Sequence, residues 1–364
     1  MIYSTFDNSK HYDSLKNTCC QVPFTDFHIF EEGQVANCCF TWLPTFVGNI
    51  LENTLLEINE GALANSVKES VQNGTYKYCN AELCPKLSEK IHLGKTAHPL
   101  MTASDLKKVN LKKLHIYLNY DKSCNLYCGS CRNERILFTE DTIPEISKRV
   151  HKSMVEQITE LSLNGYDITL NVTGSGDPFA SPLYWNFLKS VSEKDNFRLE
   201  LSTNGTLMTR ERMSLPMGQK IEFIGVSVDA FAESTYAKVR RGGSFTALKK
   251  NLEDLDLMIR EGALPALKHW RANFVVQKEN YREMADFTHW MLSFPTLSQV
   301  WFNLIADWGH MAKNDFTDQA IWSEKHPEHL DFLRILQDPI FSHHKVLLGN
   351  VTPFRHMDKA FHSR

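Results

Sequence analysis

The sequence predicts an α/β protein: an open or partial TIM-type barrel of six parallel strands with crossover helices, preceded by a small cysteine-rich module. Two patterns carry that expectation. From about residue 114 short apolar runs alternate with longer amphipathic stretches, and all nine cysteines fall within the first 131 of 364 residues. Strand–helix alternation of this length argues for a parallel sheet with right-handed crossovers. Six units fall short of a closed eight-unit barrel.

In chain order the predicted strands are LHIYLNY (114–120), ITLNVT (168–173), FRLELST (197–203), IEFIGVSV (221–228), ANFVVQ (272–277) and VWFNLIA (300–306). Between them EISKRVHKSMVEQITEL, PLYWNFLKSV, SFTALKKNLEDLDLMI and NYREMADFTHWML repeat apolar residues near a 3.6 period, so they read as helices. Both open and barrel-like parallel sheets place their sites at the C-terminal strand ends. SCNLYCGSC follows the first predicted strand, GSGDP the second and NG the third.

A chain that is 42% hydrophobic and 23% charged can bury a large core. Its net charge of −3 gives no footprint for DNA or an anionic membrane and argues against a nucleic-acid partner. No apolar run approaches a membrane span, and the start MIYSTFDNSKHYDSL lacks the order of a signal peptide, so a cytoplasmic location is expected. In a reducing compartment cysteines serve more often as ligands or nucleophiles than as disulfides, and an odd number cannot all pair.

Cys19, Cys20, Cys38, Cys39, Cys79 and Cys84 form one group; Cys124, Cys128 and Cys131 form another. The expected organisation is a cysteine-bearing module over 1–105, a core over 106–310 and a helical cap over 311–364, with a seam in KTAHPLMTASDLKK (95–108). The second group has the i, i+4, i+7 spacing of a helical core stripe, but Asn125, Gly129 and Ser130 make a poor helix, and the position just past a strand is where loops carry function. Structural zinc takes four ligands where this loop supplies three, unless His115 or Asp121 completes the set. A [4Fe–4S] cluster also normally takes four thiolates. Three leave one iron open to a bidentate ligand.

At this loop the sequence resembles the radical S-adenosylmethionine (SAM) superfamily, whose C-x3-C-x2-C motif follows the first strand of a partial (β/α)6 barrel; the resemblance covers 114 to about 310. It implies that a [4Fe–4S] cluster on Cys124, Cys128 and Cys131 reductively cleaves SAM to methionine and a 5′-deoxyadenosyl radical, which takes hydrogen from substrate. The cofactors carry that chemistry and the protein positions them. By the same resemblance Gly174, Ser175, Gly176, Asp177 and Pro178 occupy the place of the Gly-Gly-Glu-Pro turn at the SAM ammonium, with Asp177 one methylene short. Ser202, Thr203 and Asn204 lie near the ribose, although Asn-Gly is also simply a good turn. Ser227 and Arg240 match a serine and an arginine that grip SAM; the planar guanidinium suits a carboxylate. A solvated basic helix end beside Arg241 is the alternative. Ser130 stands where an aromatic residue often precedes the third cysteine.

The N-terminal spacing Cys20-x12-Gly33-x4-Cys38, continued by YCNAELCP, resembles the auxiliary-cluster module called SPASM, or its shortened twitch form, here placed before the core. Cys20, Cys38, Cys79 and Cys84 suffice for one [4Fe–4S] cluster, with Cys19 and Cys39 equally eligible by spacing. A zinc knuckle is the alternative. A closed iron–sulfur site would accept the electron of an oxidised substrate radical, favouring dehydrogenation or cross-linking. A free neighbour, Cys19 or Cys39, would instead donate hydrogen and invert a stereocentre. The expected protein is an oxidoreductase or maturase acting on a peptide or sugar-derived substrate, served by an electron donor such as flavodoxin or ferredoxin. The runner-up is a non-catalytic zinc or iron–sulfur scaffold. Asp307, Trp308 and His310 follow the last predicted strand; His343 and His344 read as solvated rather than metal-binding.

Overall fold

A computed structural model of the chain describes residues 3–94, 100–172, 175–192, 194–307 and 309–355. Its ten strands belong to a mostly parallel sheet with helices between them, which makes the protein α/β. The strands are β1 (Asp26–Ile29), β2 (Gln34–Ala36), β3 (Gly48–Asn49), β4 (Lys113–Leu118), β5 (Asp167–Val172), β6 (Phe197–Thr203), β7 (Ile221–Ser227), β8 (His269–Val276), β9 (Gln299–Leu304) and β10 (Val346–Leu347). The chain divides into two compact units: one holds the residues through Asp121 with Thr139–Ser175 and Lys194–Arg198, the other Lys122–Phe138, 176–193 and the chain from Leu199 onward.

In the first unit the strand order is β5-β4-β1-β2-β3. β4 runs parallel to β5 over six residue pairs, with Leu114, Ile116 and Leu118 buried on one face. Helix Glu145–Leu163 turns Val150, Met154, Ile158 and Leu161 inward at helical spacing. Each such side chain contributes about 1.5–3 kcal/mol when fully buried. β1, from the cysteine-rich segment, pairs in parallel with β4 from Asp26–His115 to Ile29–Leu118. β2 and β3 continue it as an antiparallel hairpin.

In the second unit the order is β10-β9-β8-β7-β6. Strict alternation along β8 buries Trp270, Ala272, Phe274 and Val276, and Phe274 packs against Phe287 and Phe302 at ring distances of 4.8 and 5.3 Å. Ser181 and Ser244 cap helices Pro182–Ser190 and Phe245–Arg260 through their side-chain oxygens, each cap worth about 1 kcal/mol. The C-terminal segment carries helices Lys313–Gln319 and His329–Ile335 and adds β10 in parallel to β9. Among the described residues no helix is long and apolar enough to cross a membrane.

Candidate functional site

Residues 123–131 form no helix, so the three thiols do not make a core stripe. The loop is tied at several points. Cys124 N–H donates to Ile136 O at 2.7 Å, Phe138 N–H to the Ser123 hydroxyl at 3.3 Å and Tyr127 N–H to Arg241 O at 3.0 Å. Arg241 returns the last contact, donating through Nε to Tyr127 O at 3.0 Å with its guanidinium 5.1 Å from the Tyr127 ring centre. His310 Nε2 lies 2.9 Å from Gly129 O.

The three sulfurs sit in different surroundings: Cys128 is buried, Cys124 half-buried and Cys131 exposed. Cys124 Sγ accepts from Leu126 N–H at 3.4 Å and from Asn204 Nδ2 at 3.7 Å. Burial, reinforced by the Asp177 charge, pushes its thiol up to about 11. Cys128 Sγ accepts from Arg240 Nη1 at 3.6 Å, and Arg240 Nη2 is paired with Asp229 at 2.7 Å. Donors aimed at sulfur stabilise thiolate over thiol, the form in which cysteine binds metal.

The strand-end residues converge from β6 and β7. Asp177, buried, hydrogen-bonds the end of β6: one carboxylate oxygen accepts from Thr203 Oγ1 at 2.7 Å and Asn204 N–H at 2.9 Å, the other from Phe179 N–H at 3.0 Å. Asp177 N–H donates to Ser123 O at 2.8 Å, next to Cys124. Asn204 is fixed in turn by Asn125, whose Oδ1 it reaches at 2.9 Å. The Asn-Gly turn needs its glycine, because Gly205 has φ +75° and a Cβ there would lie 2.6 Å from Leu248 Cδ1. Ser202 and Ser227 are half-buried on β6 and β7, in register with Gly225 and Asn273 of the neighbouring strands. Of the remaining expected site residues, Ser175 Oγ donates to Asn119 O at 2.9 Å in the first unit, and Gly176 begins the second-unit turn. Gly174 and Trp308 lie outside the described residues.

In the first unit Cys20, Cys38, Cys79 and Cys84 line one cavity, together with Pro23, Trp42, Leu43, Val71, Tyr76 and Leu87; Lys86 brings the one charge to its wall. The motif glycine explains how Cys38 returns to Cys20: Gly33, φ +83°, turns the β1–β2 hairpin where a Cβ would meet Asn49 Oδ1 at 2.6 Å. One of the four sulfurs has an N–H donor: the Trp42 indole donates to Cys38 Sγ at 3.2 Å. Cys84 stands at the N-cap position of helix Pro85–Leu93. Burial drives the thiols up, Cys84 to about 12 and Cys38 well above its ordinary value with the other three cysteines adding to it. The doublet partners lie elsewhere. Cys19 is sealed in the module core, its backbone bridged to Met101, and Cys39 Sγ sits 3.5 Å from Thr41 Oγ1. Among the described residues no three His, Cys, Asp or Glu side chains converge to hold a single metal ion.

Sequence reasoning missed Asp229, Asn125 and Trp42. Asp229 stands just past β7 in VSVDAF with φ +61°, a conformation rare outside glycine; an acidic residue at a strand end was its one visible signal.

Residues 118–290 match the family model described as the Radical SAM superfamily. A curated relative, the tungsten-containing aldehyde ferredoxin oxidoreductase cofactor-modifying protein of Pyrococcus furiosus, is 23% identical over 198 residues, covering 52% of this chain and 51% of that protein. The chain thus matches about half the length of that relative. Among solved structures, Streptococcus suis SuiB bound to its precursor peptide SuiA aligns with TM-score 0.38 and 15% identity, over 56% of this chain and 42% of that one. Native anSMEcpe with bound AdoMet aligns with TM-score 0.40 and 17% identity, over 69% and 62%.

Proposed function

We propose that this chain is a radical SAM enzyme of the oxidoreductase or maturase type, acting on a peptide or carbohydrate-derived substrate, with one auxiliary iron–sulfur site in its N-terminal SPASM/twitch-like module. In this reading residues 1–105 house the auxiliary site, 106–310 the radical SAM core and 311–364 the cap. The observation that carries the reading is the Cys124–Cys131 loop after β4: three thiols off any helix, two with donors on their sulfurs, inside the segment that matches the family model. Bound there, a [4Fe–4S] cluster and SAM would supply a one-electron reductive cleavage and a hydrogen-abstracting radical.

The residues of the chain divide the work. Cys124, Cys128 and Cys131 hold the cluster and leave one iron position for SAM. Asp177 fixes its own turn against the end of β6, and the backbone of Gly174, Ser175 and Gly176 serves the SAM ammonium. Ser202 and Asn204 face the ribose side, and Ser227 with Arg240 closes the site from β7. An acidic one-electron carrier of the flavodoxin or ferredoxin class is the expected partner.

Cys20, Cys38, Cys79 and Cys84 fit an auxiliary [4Fe–4S] cluster by donor chemistry. Four thiols line a largely apolar cavity, and the Trp42 indole N–H donates to one of the sulfurs, which suits a set of four thiolate ligands. A site closed by four protein ligands has no open position for substrate, which suits electron acceptance after a substrate oxidation. The name of the Pyrococcus furiosus relative, a cofactor-modifying protein, agrees with a maturation reaction.

The test is oxygen-free reconstitution with iron, sulfide, dithionite and SAM. Release of 5′-deoxyadenosine and methionine is expected; a fully loaded protein that releases neither would support the scaffold alternative.

A further inference from the structure

The buried ion pair past β7 does more than close the site. We infer that Arg240 sets the reduction potential of the metal centre on the Cys124–Cys131 loop through the Cys128 sulfur, and that Asp229 is the residue that positions it. The inference rests on the reading that Cys128 is a metal ligand.

Arg240 divides its guanidinium between two partners, Nη1 at 3.6 Å from Cys128 Sγ and Nη2 at 2.7 Å from Asp229 Oδ2. The Arg240 and Asp229 side chains are 11% and 1% exposed. Taking two charges out of water is costly, and an ion pair this deep is weak as a stability device. Asp229 also adopts φ +61°, a left-handed conformation that aspartate enters more readily than most residues with a side chain. It is locked there twice over: Oδ1 accepts from Val275 N–H at 2.8 Å, and its carbonyl accepts from Asn280 Nδ2 at 2.9 Å. A buried charge pair held this firmly, and weak as a stability device, marks a constraint imposed by function.

What the clamp achieves follows from sulfur electrostatics. Cys124 receives only neutral donors, the Leu126 amide and the Asn204 carboxamide, whereas Cys128 receives a full cation. A charge-assisted hydrogen bond is roughly twice as strong as a neutral one. Reduction of an iron–sulfur centre adds one electron, supplied by an external low-potential donor, with no bond broken and no proton moved at Arg240. A cation on a ligand sulfur favours that more negative state, so it raises the potential.

The experiment is an EPR-monitored redox titration of the anaerobically reconstituted full chain without SAM, following the signal that Cys128→Ala deletes. Leaving SAM out means that a contact between Arg240 and the SAM carboxylate cannot account for a shift. Arg240→Gln, loaded with the parental amount of iron, is expected to lower the midpoint potential by ~59 mV or more, a tenfold change for one electron. Arg240→Lys keeps the charge and is expected to titrate closer to the parent. A loaded Arg240→Gln at the parental potential overturns the inference. So does failure of both variants to take up iron, which would make Arg240 an assembly residue. If instead Cys128→Ala deletes no signal, the radical SAM reading itself fails.

Discussion

Cys128→Ala is expected to lose SAM cleavage altogether and about half of the chain's iron, while the apo-protein keeps its fold. The thiol is 5% exposed and sits under the Arg240 guanidinium, and the Cys128 carbonyl accepts the Cys131 and Arg132 amides, so this residue anchors the loop turn. In the proposed reading no other thiol on the loop can replace it, because Cys124 and Cys131 are already assigned as ligands. Changes to residues that merely touch a metal ligand typically cost 10–100-fold in metal affinity or activity; loss of a direct ligand should exceed ~100-fold in 5′-deoxyadenosine release. The check is product release and iron content on oxygen-free protein, with thermal melting of the apo form as the control for folding. A variant that cleaves SAM at the parental rate would remove Cys128 from the site.

Cys38→Ala is expected to separate the two sites. Iron should fall from about eight to about four per chain, SAM cleavage in the absence of substrate should persist, and conversion of substrate should stop. Cys38 lines the cavity with Cys20, Cys79 and Cys84, and the Trp42 indole N–H lies 3.2 Å from its sulfur. Cys39→Ala, by contrast, should leave all the iron in place, since the Cys39 sulfur lies against Thr41 and outside the cavity wall. Metal analysis of the two variants side by side checks both statements. Loss of zinc rather than iron from Cys38→Ala would establish the knuckle instead, and full iron retention would remove Cys38 from the ligand set.

The strands of the core were legible because alternation is a local signal. LHIYLNY, FRLELST and ANFVVQ each announce a buried face every second residue, and all three became strands within a few residues of the expected ends. The loop character of the cysteine segment was legible for a different reason: Asn125, Gly129 and Ser130 make a poor helix, and residues 123–131 form none. What escaped the sequence was tertiary. DFHI and QVA are too short to stand out from a loop, and only pairing with β4 makes β1 a strand. The choice within the doublets Cys19-Cys20 and Cys38-Cys39 depends on which sulfur faces the cavity, a matter of one residue of register that composition cannot encode. Asp229 needed its positive φ and its pairing with Arg240, farther along the chain, to be noticed.

The resemblance also carried expectations that the geometry rearranges. Asn204 was expected beside a ribose and reaches the Cys124 sulfur; Arg240 was expected at a carboxylate and reaches the Cys128 sulfur. Asn204 links the end of β6 to the Cys124 sulfur, and Arg240, through its pair with Asp229 just past β7, links that strand end to the Cys128 sulfur, so a shift of β6 or β7 would be felt at those sulfurs.

The proposed chemistry depends above all on the one iron coordination position that the Cys124–Cys131 loop leaves for SAM. EPR of the dithionite-reduced, anaerobically reconstituted chain, recorded before and after adding SAM, addresses that position at the metal itself. SAM is expected to change the g-values of the signal lost in Cys128→Ala and to leave the signal lost in Cys38→Ala unmoved. A spectrum indifferent to saturating SAM, from protein shown to carry its full iron, would mean that SAM has no place on that iron.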